Sequence, residues 1–305
     1  MSARQQQFAT KVQELIAASR QLTPQARKQV LEMLDAARRQ IVAQLVSLNT
    51  DTFQAAQLRT LKVSIDQSMD QFARDAANAV APMQYQAAQM GSTLAGGPLV
   101  EVGLETIALG QVNRTTLSIA QGYTADLITG LSRQSATKVN AAIQRAFLGG
   151  QSVTNIIAQI GRGLSSDGKF DGIFGEIGER AVSVFTNEVL RVHAMSAQAR
   201  MEELAERHPD LRKRWRHLNA ARIPRRSHIS AEGQTKAVHE PFMIAPVLGA
   251  AEEPLMHPRD PNGSPQNTIS CHCMAEPWFD PDALKATDAH RDVLKSFGIS
   301  IQTAA

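Results

Sequence analysis

Apolar side chains recur at three- and four-residue steps along most of the first 90 residues, and this spacing restricts the region to long amphipathic helices. A first helix is predicted after Thr23-Pro24, a pair suited to a helix N-cap and first turn. Its apolar stripe consists of Val30, Leu34, Ala37, Ile41, Leu45 and Leu48. A second helix is predicted from near Asp51, with Pro82 bending or ending it. Its stripe consists of Leu58, Leu61, Ile65, Met69, Phe72, Ala76 and Ala79. The simplest arrangement is an antiparallel hairpin, and the narrow stripes also allow coiled-coil contacts in a homo-oligomer.

The composition agrees with helices packed through small side chains, because only 5% of the 305 residues are aromatic. The sequence predicts a mainly α fold: long N-terminal helices and a helical core, followed by a small, loop-rich C-terminal module with a few short β-strands (α+β). The polar N-terminus does not resemble a secretory signal, and no apolar run is long enough to cross a bilayer. We therefore expect a cytosolic location when the chain is made, and no membrane partner.

Changes in residue pattern predict four regions. Residues 1–90 form the long-helix region, and residues 91–99, GSTLAGGPL, form a break. Residues 91–137 are expected to be a linker and mixed helical segment, because Gly103, Gly110, Gly122 and Gly130 disfavour continuous helix until about Arg133. Residues 138–280 contain a short helix capped by Ser152, a loop at 163–175, a long helix from about 177 to 207 and the loop-rich module. Residues 281–305 are a short helix and tail. The long helix should turn Val182, Phe185, Val189, Val192 and Ala199 inward.

The residues with distinctive chemistry lie in the last third of the chain, which holds all eight histidines, both tryptophans and both cysteines. Cys271 and Cys273 are one residue apart, so a disulfide between them would be strained, and free thiols or metal ligands are expected. Five anchors follow one another in this region. They are a basic run ending in His228, Glu232-Gly233, Glu240-Pro241-Phe242, His257-Pro258-Arg259-Asp260-Pro261, and Cys271-His272-Cys273.

This order resembles the phage head morphogenesis family, also described as Mu F-like minor head proteins. Its members show a Trp, an Arg-rich approach to a His, a Gly five residues after that His, a P-F step, a P-x-D-P step and a closing C-x-C. The corresponding residues here are Trp215, Arg225, His228, Gly233, Pro241, Phe242, Pro258, Asp260, Pro261, Cys271 and Cys273. Upstream, Thr186 and Glu188 resemble part of the family's long helix, so that the resemblance covers residues 138–280. This chain departs from the family pattern at Ala221, Glu232, Ser270 and His272.

The resemblance implies a structural minor capsid protein of a tailed bacteriophage, and not an enzyme. Such a protein is expected in the virion near the portal, and in the host cytoplasm during assembly. Its expected partners are the portal protein and other head proteins. It would assist head assembly, and also packaging or delivery of DNA.

His228, Cys271 and Cys273 offer three ligands suited to tetrahedral zinc, with the fourth left open among His239, His257 and His272. Zinc would tether a stretch that has little apolar material of its own. The alternative is a module packed around Trp215, Phe242 and Trp278, with buried thiols and a hydrogen-bonded His.

Residues 207–226 are strongly basic and predict either a solvated face or a contact with packaged DNA or an acidic portal surface. The candidates for that contact are Arg212, Lys213, Arg214, Arg216, Arg222, Arg225 and Arg226. The alternative functions are a DNA-binding virion protein and a zinc-dependent hydrolase or nuclease, with Glu232 or Glu240 as its general base. The enzyme hypothesis is weakened because H-E-x-x-H is absent and no nucleophile–His arrangement stands out.

Overall fold

The computed structural model describes residues 2–47, 55–108, 112–218, 224–245 and 251–280. The described helices are α1 (Ala3–Ser19), α2 (Leu22–Val46), α3 (Ala55–Glu101), α4 (Arg114–Leu148), α5 (Val153–Ile160), α6 (Gly172–Ala205), α7 (Arg226–Ser230) and α8 (Pro265–Thr268). The described strands are β1 (Leu211–Arg216), β2 (Thr235–Ala237), β3 (Phe242–Ile244), β4 (Glu253–Leu255) and β5 (Met274–Phe279). These elements confirm the predicted fold class, with long helices followed by a module of short antiparallel strands. The helix and tail predicted for 281–305 lie outside the described residues.

The chain forms two compact units, each assembled from separate segments. One unit contains the described residues within 1–22, 84–117 and 189–305, and the other contains those within 23–83 and 118–188. Helices α3 and α6 contribute residues to both units. The domain boundaries at 90, 137 and 280 stay predictions. No helix in the described ranges is both long and apolar enough to cross a membrane.

The unit formed by 23–83 and 118–188 buries the apolar stripes that the sequence predicts. Its buried stripe residues are Val30, Leu34, Ala37, Ile41, Leu45, Leu61, Ile65, Met69, Phe72 and Ala76. Leu58 and Ala79 are half-buried, and Leu48 lies outside the described residues. Polar contacts join α4 to α3: the Ser132 hydroxyl donates to the Met69 carbonyl at 2.6 Å, and the Asn140 amide donates to Asp66 at 2.9 Å. Ser152 caps α5 as predicted, accepting from the Asn155 N–H.

Several predicted helix boundaries are wrong. Helix α2 begins at Leu22, so that Thr23 lies in its first turn, and α4 begins at Arg114 and contains Gly122 and Gly130. Pro82 and residues 91–99 do not interrupt α3, which continues to Glu101. Of the predicted glycine breakers, Gly103 follows the end of α3 with a φ of 65°.

Close backbone approach explains the glycines inside α3. A Cβ at Gly91 would lie 2.1 Å from the His193 carbonyl oxygen, and one at Gly96 would lie 2.0 Å from the Ala108 carbonyl oxygen. The neighbouring Leu94, a side chain of the same helix, is fully buried. Tertiary packing therefore overrides the low helix propensity of this stretch.

Helix α6 buries the predicted Phe185, Val189 and Val192, but Val182 is half-buried and Ala199 is exposed. The prediction for Ala199 was wrong because the buried stripe drifts around the helix at a period of 3.6 residues. The buried apolar residues in the last two turns are Ala197, Met201 and Leu204.

Residues 211–280, called here the C-terminal module, contain a three-stranded antiparallel sheet of order β2-β1-β5 and a β3-β4 pair. The central strand β1 places Lys213 beside Lys236 of β2 and Pro277 of β5. Trp215 and Phe242 are fully buried as predicted, whereas Trp278 is only half-buried. Phe279 packs edge-on against Phe8 of α1 within the same unit, with ring centroids 5.7 Å apart.

Candidate metal centre and its frame

The structure brings His228, Cys271 and Cys273 together. His228 lies on α7, and the two cysteines lie between α8 and β5. The Nδ1 atom of His228 is 3.5 Å from the Cys271 Sγ and 3.6 Å from the Cys273 Sγ. All three ligand atoms lie within 4.8 Å of one another, and each residue is only 2% exposed.

Trp215 supports this group from the central strand. Its ring packs edge-on against the His228 ring at 5.5 Å and against the Phe242 ring at 5.3 Å. The Trp215 backbone donates to the Gln234 carbonyl and accepts from the Gly233 N–H, both at 2.9 Å. Gly233 has a φ of 76°, a conformation that favours glycine. The Gly in the sequence pattern therefore allows the turn that closes against Trp215.

A chain of hydrogen bonds fixes the orientation of His228. Its Nε2 lies 3.3 Å from the Asn267 Oδ1, while the Asn267 Nδ2 donates to the Glu253 carboxylate. Ser264 donates to the same carboxylate through its backbone N–H and through its hydroxyl, the latter at 2.8 Å. Burial raises the pKa of Glu253, but the hydrogen bonds from Asn267 and Ser264 outweigh it and lower the pKa overall. Glu253 is therefore held as a carboxylate, which can only accept hydrogen bonds.

The state of Glu253 determines which nitrogen of His228 carries the proton. Because the carboxylate accepts from Asn267, the Asn267 amide nitrogen faces Glu253 and its oxygen faces the imidazole. The Nε2 atom must then donate to that oxygen. The lone pair of Nδ1 therefore faces the two thiols.

The pKa values of the two neighbouring thiols are shifted in opposite directions. Interaction with the Cys273 thiol lowers the pKa of Cys271 despite its burial, and the positive charge of Arg259 lowers it further. The pKa of Cys273 is raised, because its proton is held by Cys271 and because the residue is buried. A thiolate in this pair is the form that binds metals.

Arg259 supplies a buried positive charge beside the thiols. It is fully buried, its φ is 64°, and Nη1 donates to the Cys271 carbonyl. Its Nε and Nη2 have no hydrogen-bond partner within the described part of the chain. Asp260 shapes the same turn by accepting from the Met256 N–H at 2.7 Å and the Asn262 N–H at 2.9 Å. The P-x-D-P step is thus a turn closed by its own carboxylate.

None of the three histidines considered as a fourth ligand joins the group. His239 is exposed, and His272 is half-buried. His257 is buried, which lowers its pKa, and its Nδ1 lies 3.0 Å from the Pro258 carbonyl oxygen. Among the described residues, no fourth His, Cys, Asp or Glu lies with His228, Cys271 and Cys273.

The remaining anchors lie around this centre or on its surface. Pro258 is buried, Pro241 is half-buried before β3, and Pro261 is exposed. Arg225 is half-buried and donates to the Ile269 carbonyl. In the other unit, Thr186 and Glu188 are buried on α6.

Most of the described basic candidates are held by contacts inside the module. Lys213 is fully buried, which removes it from the predicted contact surface. Arg214 and Arg216 both pair with Glu276, a fully buried carboxylate on β5. The exposed members are Arg212 and Arg226, and Arg222 lies outside the described residues.

The two glutamates considered as general bases are both exposed and lie outside the His/Cys group. Glu232 accepts from the Arg216 guanidinium at 3.0 Å and from the His217 N–H, and Glu240 accepts from the Ala237 N–H.

Sequence reasoning missed Asn267, Glu253, Arg259 and Glu276 as site residues. Their roles depend on long-range contacts, and only the i, i+2 placement of Arg214 and Arg216 hints at a shared partner across a strand.

The order thiol, His228 and Asn267 is also that of a nucleophilic Cys–His–Asn arrangement. The sequence did not indicate it. Here, however, a substrate would have to displace the packed Trp215 ring and neighbouring side chains to reach sulfurs that are 2% exposed. The geometry therefore suits metal ligation or a packed structural core better than nucleophilic catalysis.

Comparison with known proteins adds one relative. The chain is 31% identical over 118 residues to the uncharacterized protein YqbB of Bacillus subtilis (strain 168). The match covers 38% of this chain and 36% of YqbB, so that the chain spans about a third of the length of that relative. No family model and no solved structure matches the chain.

Proposed function

We propose that this chain is a structural minor head protein of a tailed bacteriophage, associated with the portal inside the head and assisting head assembly. We also propose that the chain, from this position, assists the packaging or delivery of DNA. It starts from the ordered anchors of the sequence, which resemble the Mu F-like minor head proteins.

The convergence of those anchors carries the proposal. Trp215, His228, Phe242, Cys271 and Cys273 come from separate stretches of the module and lie in one buried cluster. Side chains collected in a packed interior stabilise a shape, whereas a catalytic site must admit a substrate. The motif therefore fits a structural core that holds the outer surface of the module in shape for contact with partner proteins.

The basic run gives less support to DNA binding than its composition suggests. The internal pairing of Arg214 and Arg216 leaves Arg212 and Arg226 as the exposed candidates in the described part of the run. Non-specific DNA affinity depends on the number of phosphates that are neutralised. We therefore propose the portal and other head proteins, and not DNA, as the principal partners.

Co-expression tests this role. A tagged full-length chain is produced with the portal protein encoded by the same genome, and the captured complex is measured by size-exclusion chromatography and mass. We expect a defined complex that survives moderate salt. A Trp215→Ala variant should weaken it by opening the buried cluster, while a Gln266→Ala variant, at an exposed position outside the basic candidates, should not.

The proposal would be overturned if the chain does not bind the portal protein and is also absent from purified proheads and virions. Quantitative mass spectrometry of these particles gives the second measurement. We expect a copy number far below that of the major capsid protein.

A further inference from the structure

We propose that His228 Nδ1, Cys271 Sγ and Cys273 Sγ bind one Zn²⁺ ion, and that Glu253 and Asn267 position the imidazole for it. The assignment rests on the geometry of the module and does not depend on the head-protein proposal. It extends the sequence-based zinc hypothesis by naming the ligand atoms and the residues that orient them.

The donor set fits zinc in type and geometry. Two thiolates and one imidazole nitrogen are preferred zinc ligands, with bond lengths of about 2.3 Å to sulfur and about 2.0 Å to nitrogen. Ligand atoms within 4.8 Å of one another can reach a shared ion through small side-chain movements. Zinc binding would release the thiol protons, because thiolates are the form that ligates the ion.

The Glu253–Asn267–His228 chain supplies the second, independent observation. A histidine that ligates a metal usually donates its other ring N–H to an oxygen, which fixes the tautomer and the ring orientation. The Asn267 oxygen occupies that position, and the Glu253 carboxylate keeps the amide from turning over. The imidazole is thus preorganised with its free lone pair toward both sulfurs.

Arg259 completes the electrostatics of the centre. Two thiolates and a divalent ion are neutral together, and the guanidinium adjoins both cysteines. Its Nη1 donates to the Cys271 carbonyl, while its buried Nε and Nη2 have no partner within the described residues. Donation to metal-bound thiolates would satisfy groups that are costly to bury alone.

The ligand count predicts the shell around the ion. The described residues supply two sulfur ligands and one imidazole, so we expect one further light ligand atom to complete the tetrahedron.

Titration with Co²⁺ and Zn²⁺ tests the site. The full-length chain, reduced and treated with chelator, is titrated with Co²⁺ under anaerobic conditions, and the thiolate-to-cobalt absorption is recorded. We expect saturation at one equivalent, displacement by Zn²⁺, and an X-ray absorption spectrum of the zinc form with two sulfur and two lighter ligands. The site is refuted if the folded, reduced chain shows no stoichiometric binding, or if the spectrum contains no sulfur.

Variants of Asn267 and Glu253 distinguish residues that orient the imidazole from residues that ligate the ion. Asn267→Ala should weaken zinc binding by about 10- to 100-fold while the two-sulfur spectrum is retained. The exchange variant Glu253→Gln/Asn267→Asp keeps an oxygen at position 267 as the acceptor for the imidazole N–H and reverses only the hydrogen bond between positions 253 and 267. It should restore most of the affinity. Equal affinity of Asn267→Ala and the unmodified chain would overturn the positioning role.

Matched controls guard against loss of folding. His239→Ala, His257→Ala and His272→Ala each remove a histidine outside the group and should leave one equivalent bound. Cys271→Ser should abolish the thiolate absorption; circular dichroism and thermal unfolding identify any variant that has lost its fold. If Cys271→Ser unfolds, Asn267→Ala and the exchange variant still decide the outcome. Loss of zinc would leave the portal-binding measurement as a separate result.

Discussion

Lys213 gives a quantitative test of the buried electrostatics in the module. Its side chain is fully buried on the central strand, and its Nζ donates to the Met256 carbonyl at 2.6 Å and to the Gln198 oxygen at 3.2 Å. Burial lowers its pKa from 10.5 to about 8, and the neighbouring carboxylates of Glu202, Asp260 and Glu240 offset only part of this effect.

The sign of the pH dependence follows from the number of protons that Lys213 binds in the folded and in the unfolded chain. Below pH 8 the lysine is protonated in both the folded and the unfolded chain, so its contribution to stability does not change with pH. Between pH 8 and 10.5 the unfolded chain binds more protons, and the free energy of unfolding therefore rises with pH. A pKa that falls from 10.5 to about 8 corresponds to a rise of about 3 kcal/mol, at about 1.4 kcal/mol for each pH unit.

Urea denaturation of the native chain and the Lys213→Met variant across this range measures the effect. The difference in unfolding free energy should change by about 3 kcal/mol in favour of the native chain as the pH rises. The Gln198→Leu variant is the matched control, because it loses a hydrogen bond but keeps the ammonium group and hence the slope. Parallel curves for the native chain and Lys213→Met would refute the assignment of a buried, titrating lysine.

Two further pairs of variants are compared by their free energy of unfolding in urea. Glu276→Gln should destabilise the fold by about 3 kcal/mol or more, because it leaves two guanidinium groups facing a buried neutral side chain. Glu232→Gln, which alters a partly exposed pair, should cost less than about 1 kcal/mol, and equal effects would contradict the role of burial. Gly91→Ala should destabilise by about 1–3 kcal/mol because its Cβ would lie 2.1 Å from the His193 carbonyl oxygen. Gly122→Ala, with open space at its Cβ inside α4, should stabilise by up to about 1 kcal/mol; destabilisation there would show that the glycine has another role.

The helices could be predicted from the sequence wherever one face is consistently apolar. Ile41 and Ile65 were placed on buried faces because a period of 3.6 residues is a local property. The errors fall at Gly91 and at Gly122, where low helix propensity predicts interruption; at Pro82, the helix does not end, which was one of the two predicted outcomes. At Gly91, packing against the distant His193 backbone outweighs propensity, and a single sequence does not reveal which segments will be neighbours.

The ligand residues of the candidate site could be predicted from the sequence, but the residues that orient them could not. His228, Cys271 and Cys273 stand out as residue types with metal affinity, and the structure places them together. Asn267 and Glu253 carry no such signal, since a polar residue in a loop-rich stretch is ordinarily solvated. Their roles depend on a contact across 39 residues between Asn267 and His228, which no local pattern encodes.

The positions of the basic side chains also change the interpretation of charge in this chain. The sequence favoured a solvated face or an external contact for the basic run. However, Lys213 and Arg225 of that run donate to backbone carbonyls of irregular segments, as do three cations elsewhere in the same unit. The pairs in the unit that contains the module are Arg4 to Val102, Arg200 to Ile107, Lys213 to Met256, Arg225 to Ile269, and Arg259 to Cys271. An irregular segment leaves carbonyl groups that no helix or sheet satisfies, and a long cationic side chain can supply the missing donor. These cations therefore hold irregular segments in place through hydrogen bonds inside the unit. Since such cations are not available to phosphates, the net charge of +3 is not a measure of nucleic-acid affinity.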